Sequence, residues 1–148
     1  MTRKSAREIA VRLVYSCSMT GEISEETIDA FFEREHFLSL QEDDEFFSEA
    51  PTEKQIAFIK SIVFGVFENK DIIDDNISRF SKSWKLERIS KTALAVLRCA
   101  MYEMMFMDDI PDGVAINEAV EISKGYEEAE TTAFINGVLG SYSRSKTQ

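Results

Sequence analysis

Apolar residues recur at three- and four-residue steps along nearly the whole chain, the spacing that keeps them on one face of an α-helix. Ala6, Ile9, Ala10, Leu13, Val14 and Cys17 form a first stripe, with Gly21 as its stop. Ile28, Phe31, Phe32 and Phe37 mark a second, opened by Ser24 as N-cap, with Glu25 and Glu26 well placed in the first turn. Residues 41–53 read as an acidic loop ended by Pro51. From Thr52, the residues Ile56, Ile59, Val63, Val66, Ile73, Ile77 and Phe80 keep the period across Asn69-Lys70-Asp71. That predicts one long helix, with a kink or break conceded at the tripeptide. Residues 81–88, around Trp84, read as a connection. Ile89, Ala93, Val96, Leu97, Ala100 and Met104 give a strongly apolar helix, followed by helices over about 113–125 and 127–142. The final SRSKTQ is expected to be disordered. Only 6 Gly and 2 Pro in 148 residues argue against a turn-rich sandwich or barrel, and with nearly every segment reading as helix the expected fold class is all-α. The length suits a single domain over 1–148, with an N-terminal helical half about 1–50 and a C-terminal half about 51–142.

The net charge of −10 argues, taken whole, against nucleic acid, but its distribution points the other way. Residues 1–20 carry +3, residues 21–53 carry −11, and residues 54–148 carry −2. Salt screens charges over about 10 Å, so a basic front end acts independently of a distant acidic segment. The two cysteines, Cys17 and Cys99, have no metal-ligand spacing and suit a reducing, cytoplasmic setting. No stretch reaches the ~20 apolar residues needed to span a bilayer, and Arg7, Glu8 and Arg12 interrupt any signal-peptide core.

The residues of catalysis are missing. The single His, His36, sits in Glu33-Arg-Glu-His36, a di-iron ligand pair that has no second copy in the chain. Asp71, Asp74 and Asp75 resemble a magnesium–diphosphate cluster in spacing, but adjacent helical positions point about 100° apart. A solvated helix face is the better reading of both. There is no Gly-rich phosphate loop, and neither Cys has a His partner. No catalysis and no metal are expected.

Three features suit binding. Arg3, Lys4, Arg7 and Arg12 offer an N-terminal extension able to follow a phosphate backbone. Arg79, Lys82, Lys85, Arg88 and Lys91 recur every third residue as a weaker second basic patch, interrupted by Trp84. Finally, Phe134, Val138 and Leu139 lie at helical spacing around Asn136-Gly137, and a Gly inside a helix signals close packing or the approach of a ligand.

The segments AREIAVRLVYS (6–16), TALAVLRCAMYEMMF (92–106), VAINEAVEISKGY (114–126) and FINGVLG (134–140) together resemble the NusB transcription antitermination family in order and spacing. The likeness spans essentially the whole chain and is weakest over 21–53. It implies two small helical bundles packed together, with no catalytic activity and no required cofactor. It also implies binding to boxA-type RNA of ribosomal RNA leader transcripts, jointly with a ribosomal small-subunit protein in the NusE role, within an RNA polymerase antitermination complex. Carried over by position, the basic arm falls on Arg3, Lys4 and Arg7, and the base contacts fall on Glu130, Thr132 and Phe134. The protein-partner face falls on Tyr15, Glu87, Arg88 and Lys91. Arg98, Glu103, Asn117, Glu118 and Asn136 match family positions. Several of them are expected to be buried hydrogen-bonding groups, with Arg98 paired to Glu103, Glu118 or backbone carbonyls.

The sequence also departs from the family pattern. Ser5 thins the arm, Ala93 stands where an acidic partner contact is common, and Glu127, Glu128 and Glu130 add negative charge to the RNA face. The alternatives are a helical protein-interaction module without RNA binding, or a stand-alone relative of the RNA-binding domain of ribosomal RNA cytosine methyltransferases.

Overall fold

The computed structural model describes residues 1–33, 51–82 and 84–146, and among them every regular element is helical. Contacts divide the chain into two compact units, Met1–Phe64 and Gly65–Gln148. That division falls inside a helix, whereas the boundary expected near residue 50 lies outside the described residues. His36, Phe37 and most of the acidic loop lie outside them too.

In the first unit, α1 (Arg3–Thr20) starts where the Thr2 hydroxyl accepts from the Ser5 backbone N–H, and it stops at Gly21. Gly21 has φ 76° and ψ 3°, a left-handed residue whose N–H closes onto the Cys17 carbonyl at 2.9 Å. The predicted stripe is buried in full: Ala6, Ile9, Ala10, Leu13, Val14 and Cys17. Helix α2 (Glu25–Phe31) has Ser24 as N-cap, accepting from the Thr27 N–H at 3.1 Å. The third helix, α3 (Glu53–Glu68), opens with a reciprocal box. The Thr52 hydroxyl accepts from the Gln55 N–H at 3.2 Å, and the Gln55 side chain accepts from the Thr52 N–H at 2.9 Å. Lys60 on α3 holds α2 through Asp29 at 2.6 Å and Glu25 at 3.0 Å.

The long helix expected from residue 52 to 80 is two helices. Asn69 departs from helical geometry (φ −116°, ψ 21°), and its side-chain amide donates to the Gly65 carbonyl at 2.8 Å. That polar side chain competes for the helix's own acceptor, an option the apolar period does not reveal. The chain resumes as α4 (Lys70–Ser81). After a 3₁₀ turn at Leu86–Arg88 come α5 (Lys91–Phe106), α6 (Asp112–Lys124) and α7 (Ala129–Ser145). Helix α5 is the axis of the second unit and is buried on most sides, with Ala93, Val96, Leu97, Ala100, Met101 and Met104 all enclosed. It packs against α4, α6 and α7. Each large apolar side chain so enclosed contributes about 1.5–3 kcal/mol.

Two corrections concern ends and charges. The tail expected to be disordered is helical through Ser145, and the Lys146 ammonium donates to the Met104 carbonyl at 2.8 Å and pairs with Asp112 at 3.0 Å. Arg98 finds neither Glu103 nor Glu118 but Asp74 on α4, in a two-pronged pair: Nε to Oδ1 at 2.8 Å and Nη2 to Oδ2 at 2.9 Å. Of the three aspartates read as a solvated face, only Asp71 and Asp75 are exposed.

Candidate nucleic-acid interface

In the first unit, the expected arm is the opening turn of α1 rather than a free extension. Arg3 and Lys4 are exposed, and the Arg3 guanidinium lies 4.0 Å above the Phe58 ring. Arg7, also expected to meet phosphate, is only 6% exposed, with its guanidinium 5.7 Å from the same ring. The phenyl ring selects for cations one helical turn apart. No acid stands in the first turn of α1, so the exposed cations Arg3 and Lys4 sit at the positive end of the helix with no carboxylate in that turn to offset them. An anion arriving there relieves it. Tyr15, assigned to the partner face, is 38% exposed on the same helix.

In the second unit, the chain leaves α4 through Lys82 at φ 49°, a positive value rare outside glycine. The turn, fastened by the Trp84 N–H on the Ser81 carbonyl at 3.2 Å, delivers Trp84 against α7. There the indole stacks on Phe134, with ring centroids 4.3 Å apart and planes 16° from parallel. Both rings are half-buried. Phe134 is therefore neither a core residue nor a freely rotating surface ring.

The three residues assigned to base contacts do not share a face. Positions two apart on a helix point about 160° away from each other. Phe134 turns to Trp84, while Thr132 is 9% exposed and bonded through its hydroxyl to buried Ser123 of α6, oxygen to oxygen 3.1 Å. Glu130, one turn before Phe134, is exposed and sits in the first turn of α7, where the helix dipole favours a carboxylate. Thr132 instead helps line an open groove of about 480 Å³ with Val120, Lys124, Glu127 and Asn136. A Cβ at Gly137 would meet nothing within 4 Å, so close packing does not explain that glycine. The groove side of α7 is thus bare of bulky side chains near Ala133, Asn136 and Gly137, all exposed.

The acidity around this surface is partly tied down. Glu127 accepts from the Ser90 hydroxyl at 2.5 Å, and Ser90 itself caps α5 by accepting from the Ala93 N–H. Glu128 and Glu130 remain exposed. The partner-face residues Glu87, Arg88 and Lys91 are exposed on the 3₁₀ turn and at the start of α5, whereas Ala93 is fully buried and presents nothing outward. Among the remaining family-matching positions, Arg98 and Glu103 are buried, and Asn117 and Asn136 are exposed.

Among the described residues no group of acidic, His and Cys side chains is arranged to hold a metal ion, and no helix is long and apolar enough to cross a membrane. Burial raises the pKa of the Cys17 thiol, and raises that of Cys99 far more, with the nearby Glu103 carboxylate adding to it. Such thiols are poor nucleophiles. Sequence reasoning named but misread two residues of this unit, placing Trp84 in a plain connection and Asp74 on a solvated face. Trp84 left a signal, an aromatic ring set within a run of cations; the pairing of Asp74 left none, because its partner lies 24 positions away.

An aromatic stack with lysines on either side of it in the chain, on an all-helical scaffold, is chemistry suited to holding unpaired nucleic acid. The NusB family pattern matches residues 4–144. The transcription antitermination protein NusB of Acetivibrio thermocellus is 45% identical over 140 residues, covering 95% of this chain and 87% of that protein. T. maritima NusB superposes with a TM-score of 0.73 at 29% identity, covering 95% of this chain and 89% of that one. A chain from a crystal structure of a plectonemic RNA supercoil shares the fold, with a TM-score of 0.76, 21% identity and coverage of 100% and 99%. The chain belongs to the NusB family.

Proposed function

We propose that this chain is a transcription antitermination factor that binds boxA-type RNA of ribosomal RNA leader transcripts together with a small-subunit ribosomal protein in the NusE role. The observation that carries the RNA reading is Phe134, held half-buried in a stack where a ring can receive an unpaired base. Exposed Arg3 and Lys4 supply phosphate contacts; Arg7 braces Phe58 rather than reaching outward. For the protein partner, the residues that support the reading are exposed Tyr15 in the first unit and, separately, exposed Glu87, Arg88 and Lys91 in the second.

An arm reduced to two exposed cations, Arg3 and Lys4, supports only modest affinity for RNA alone. Gel-shift titration with boxA-type and scrambled RNA, with and without the partner protein, tests this. Tight, sequence-selective binding is expected only with the partner, and nanomolar binding by the lone chain overturns the division of labour. Arg3→Ala/Lys4→Ala should weaken RNA binding several-fold, each lost phosphate contact reducing the salt slope by about 1, and leave partner binding intact.

A further inference from the structure

The tryptophan at position 84 is the only one in the chain, and nothing in the family likeness gives it a role. We propose that Trp84 is a positioning residue of the RNA surface: its indole fixes the Phe134 ring in the orientation that receives a base, and the pair responds as one unit when RNA binds. The inference rests on the RNA reading of Phe134.

Three observations carry it. The rings are nearly parallel at 16° and 4.3 Å, an arrangement that removes the rotational freedom a lone surface phenylalanine keeps. A ring held in its bound orientation has less entropy to lose when a base arrives, so the stack contributes to affinity without touching the transcript. Both rings are only half-buried, unlike the enclosed residues Ile135, Val138 and Leu139 of the same helix, so the stack lies at the surface rather than in the core. Finally, Lys82 and Lys85, on either side of Trp84, are exposed and form no ion pair among the described residues. Free cations flanking a stacked ring pair suit a polyanion whose bases are unpaired. A tryptophan serving only to fasten the α4–α5 connection needs neither of them.

Being unique, Trp84 reports on itself. Titrating the full chain, with a tryptophan-free partner protein, against boxA-type RNA should quench its emission with the same midpoint as the gel shift, while scrambled RNA at equal concentration should not. Trp84→Leu removes the ring and should lower RNA affinity roughly tenfold, whereas Trp84→Phe should restore it to within about twofold. Partner binding should be unchanged in both. Should the wild-type chain fail to bind RNA at all, the RNA reading falls and this inference with it. RNA that binds without altering Trp84 emission, or equally well to Trp84→Leu, overturns the role of Trp84 alone. The emission titration uses the unaltered chain, so it decides even if Trp84→Leu fails to fold.

Discussion

Removing the Asp74 carboxylate by Asp74→Ala should destabilise the second unit by about 3 kcal/mol. The magnitude follows from the geometry. Asp74 receives two charge-assisted hydrogen bonds from Arg98, at 2.8 and 2.9 Å, and the two side chains are 18% and 8% exposed. Stripping one partner from a buried pair costs about 3–5 kcal/mol, because the survivor stays desolvated without compensation. The partial exposure of Asp74 admits water to the vacated site and sets the loss at the lower end of that range. For a chain of this size each kcal/mol lowers Tm by roughly 2–4 °C, so the melt followed by circular dichroism should fall by about 6–12 °C. The double variant Asp74→Ala/Arg98→Met should recover part of the loss, since it leaves no buried charge. A cost below about 1 kcal/mol, as for ordinary surface pairs, or a double-mutant cycle with no coupling, would refute the reasoning.

Three further outcomes are expected. Gly65→Ala brings a Cβ to 2.2 Å from the Tyr102 ring, an overlap costing about 1–3 kcal/mol against a helix-propensity gain of about 1 kcal/mol. The variant should melt lower than wild type, yet in a Tyr102→Ala background the same substitution should raise Tm; an unchanged sign would show that the ring is not the obstacle. Cys17 and Cys99 should resist a thiol reagent in the folded chain and react at once in denaturant. Because folding raises both thiol pKa values, the unfolded chain releases protons first, so stability is full below pH 9 and declines as pH rises beyond the ordinary thiol value of 9.0. The raised pKa of Lys60, caused by its bonds to Asp29 and Glu25, acts in the same direction at still higher pH. Stability that holds flat across this alkaline window would contradict that account.

Legibility from sequence followed the range of the interactions. The stripe on α1, the stop at Gly21 and the cap at Ser24 are set by residues within a turn or two, and the residue types declare them. The break at Asn69 is also local, but it depends on a side chain choosing the Gly65 carbonyl over water, which spacing does not encode. Arg7 shows the opposite limit: it is buried, and the ring 5.7 Å from its guanidinium, Phe58, lies far along the chain and off the predicted apolar stripe. The Asp74–Arg98 pair escaped for the same reason, since each carboxylate near Arg98 in sequence is an equally plausible partner. At the candidate site, the sequence supplied Phe134 but not its neighbour, because Trp84 lies in a connection where periodicity carries no information.

The lysine at position 146 bears on how the protein is made. Its ammonium reaches the Met104 carbonyl near the end of α5 and the Asp112 carboxylate at the start of α6, while Ser143, one turn earlier, donates to that same carboxylate at 2.9 Å. These clasps join the last helix to two that precede it, and none can close before the final turn has left the ribosome. The second bundle therefore emerges unlatched, and completes its fastening only once the last turn of α7 is free to reach back to α5 and α6.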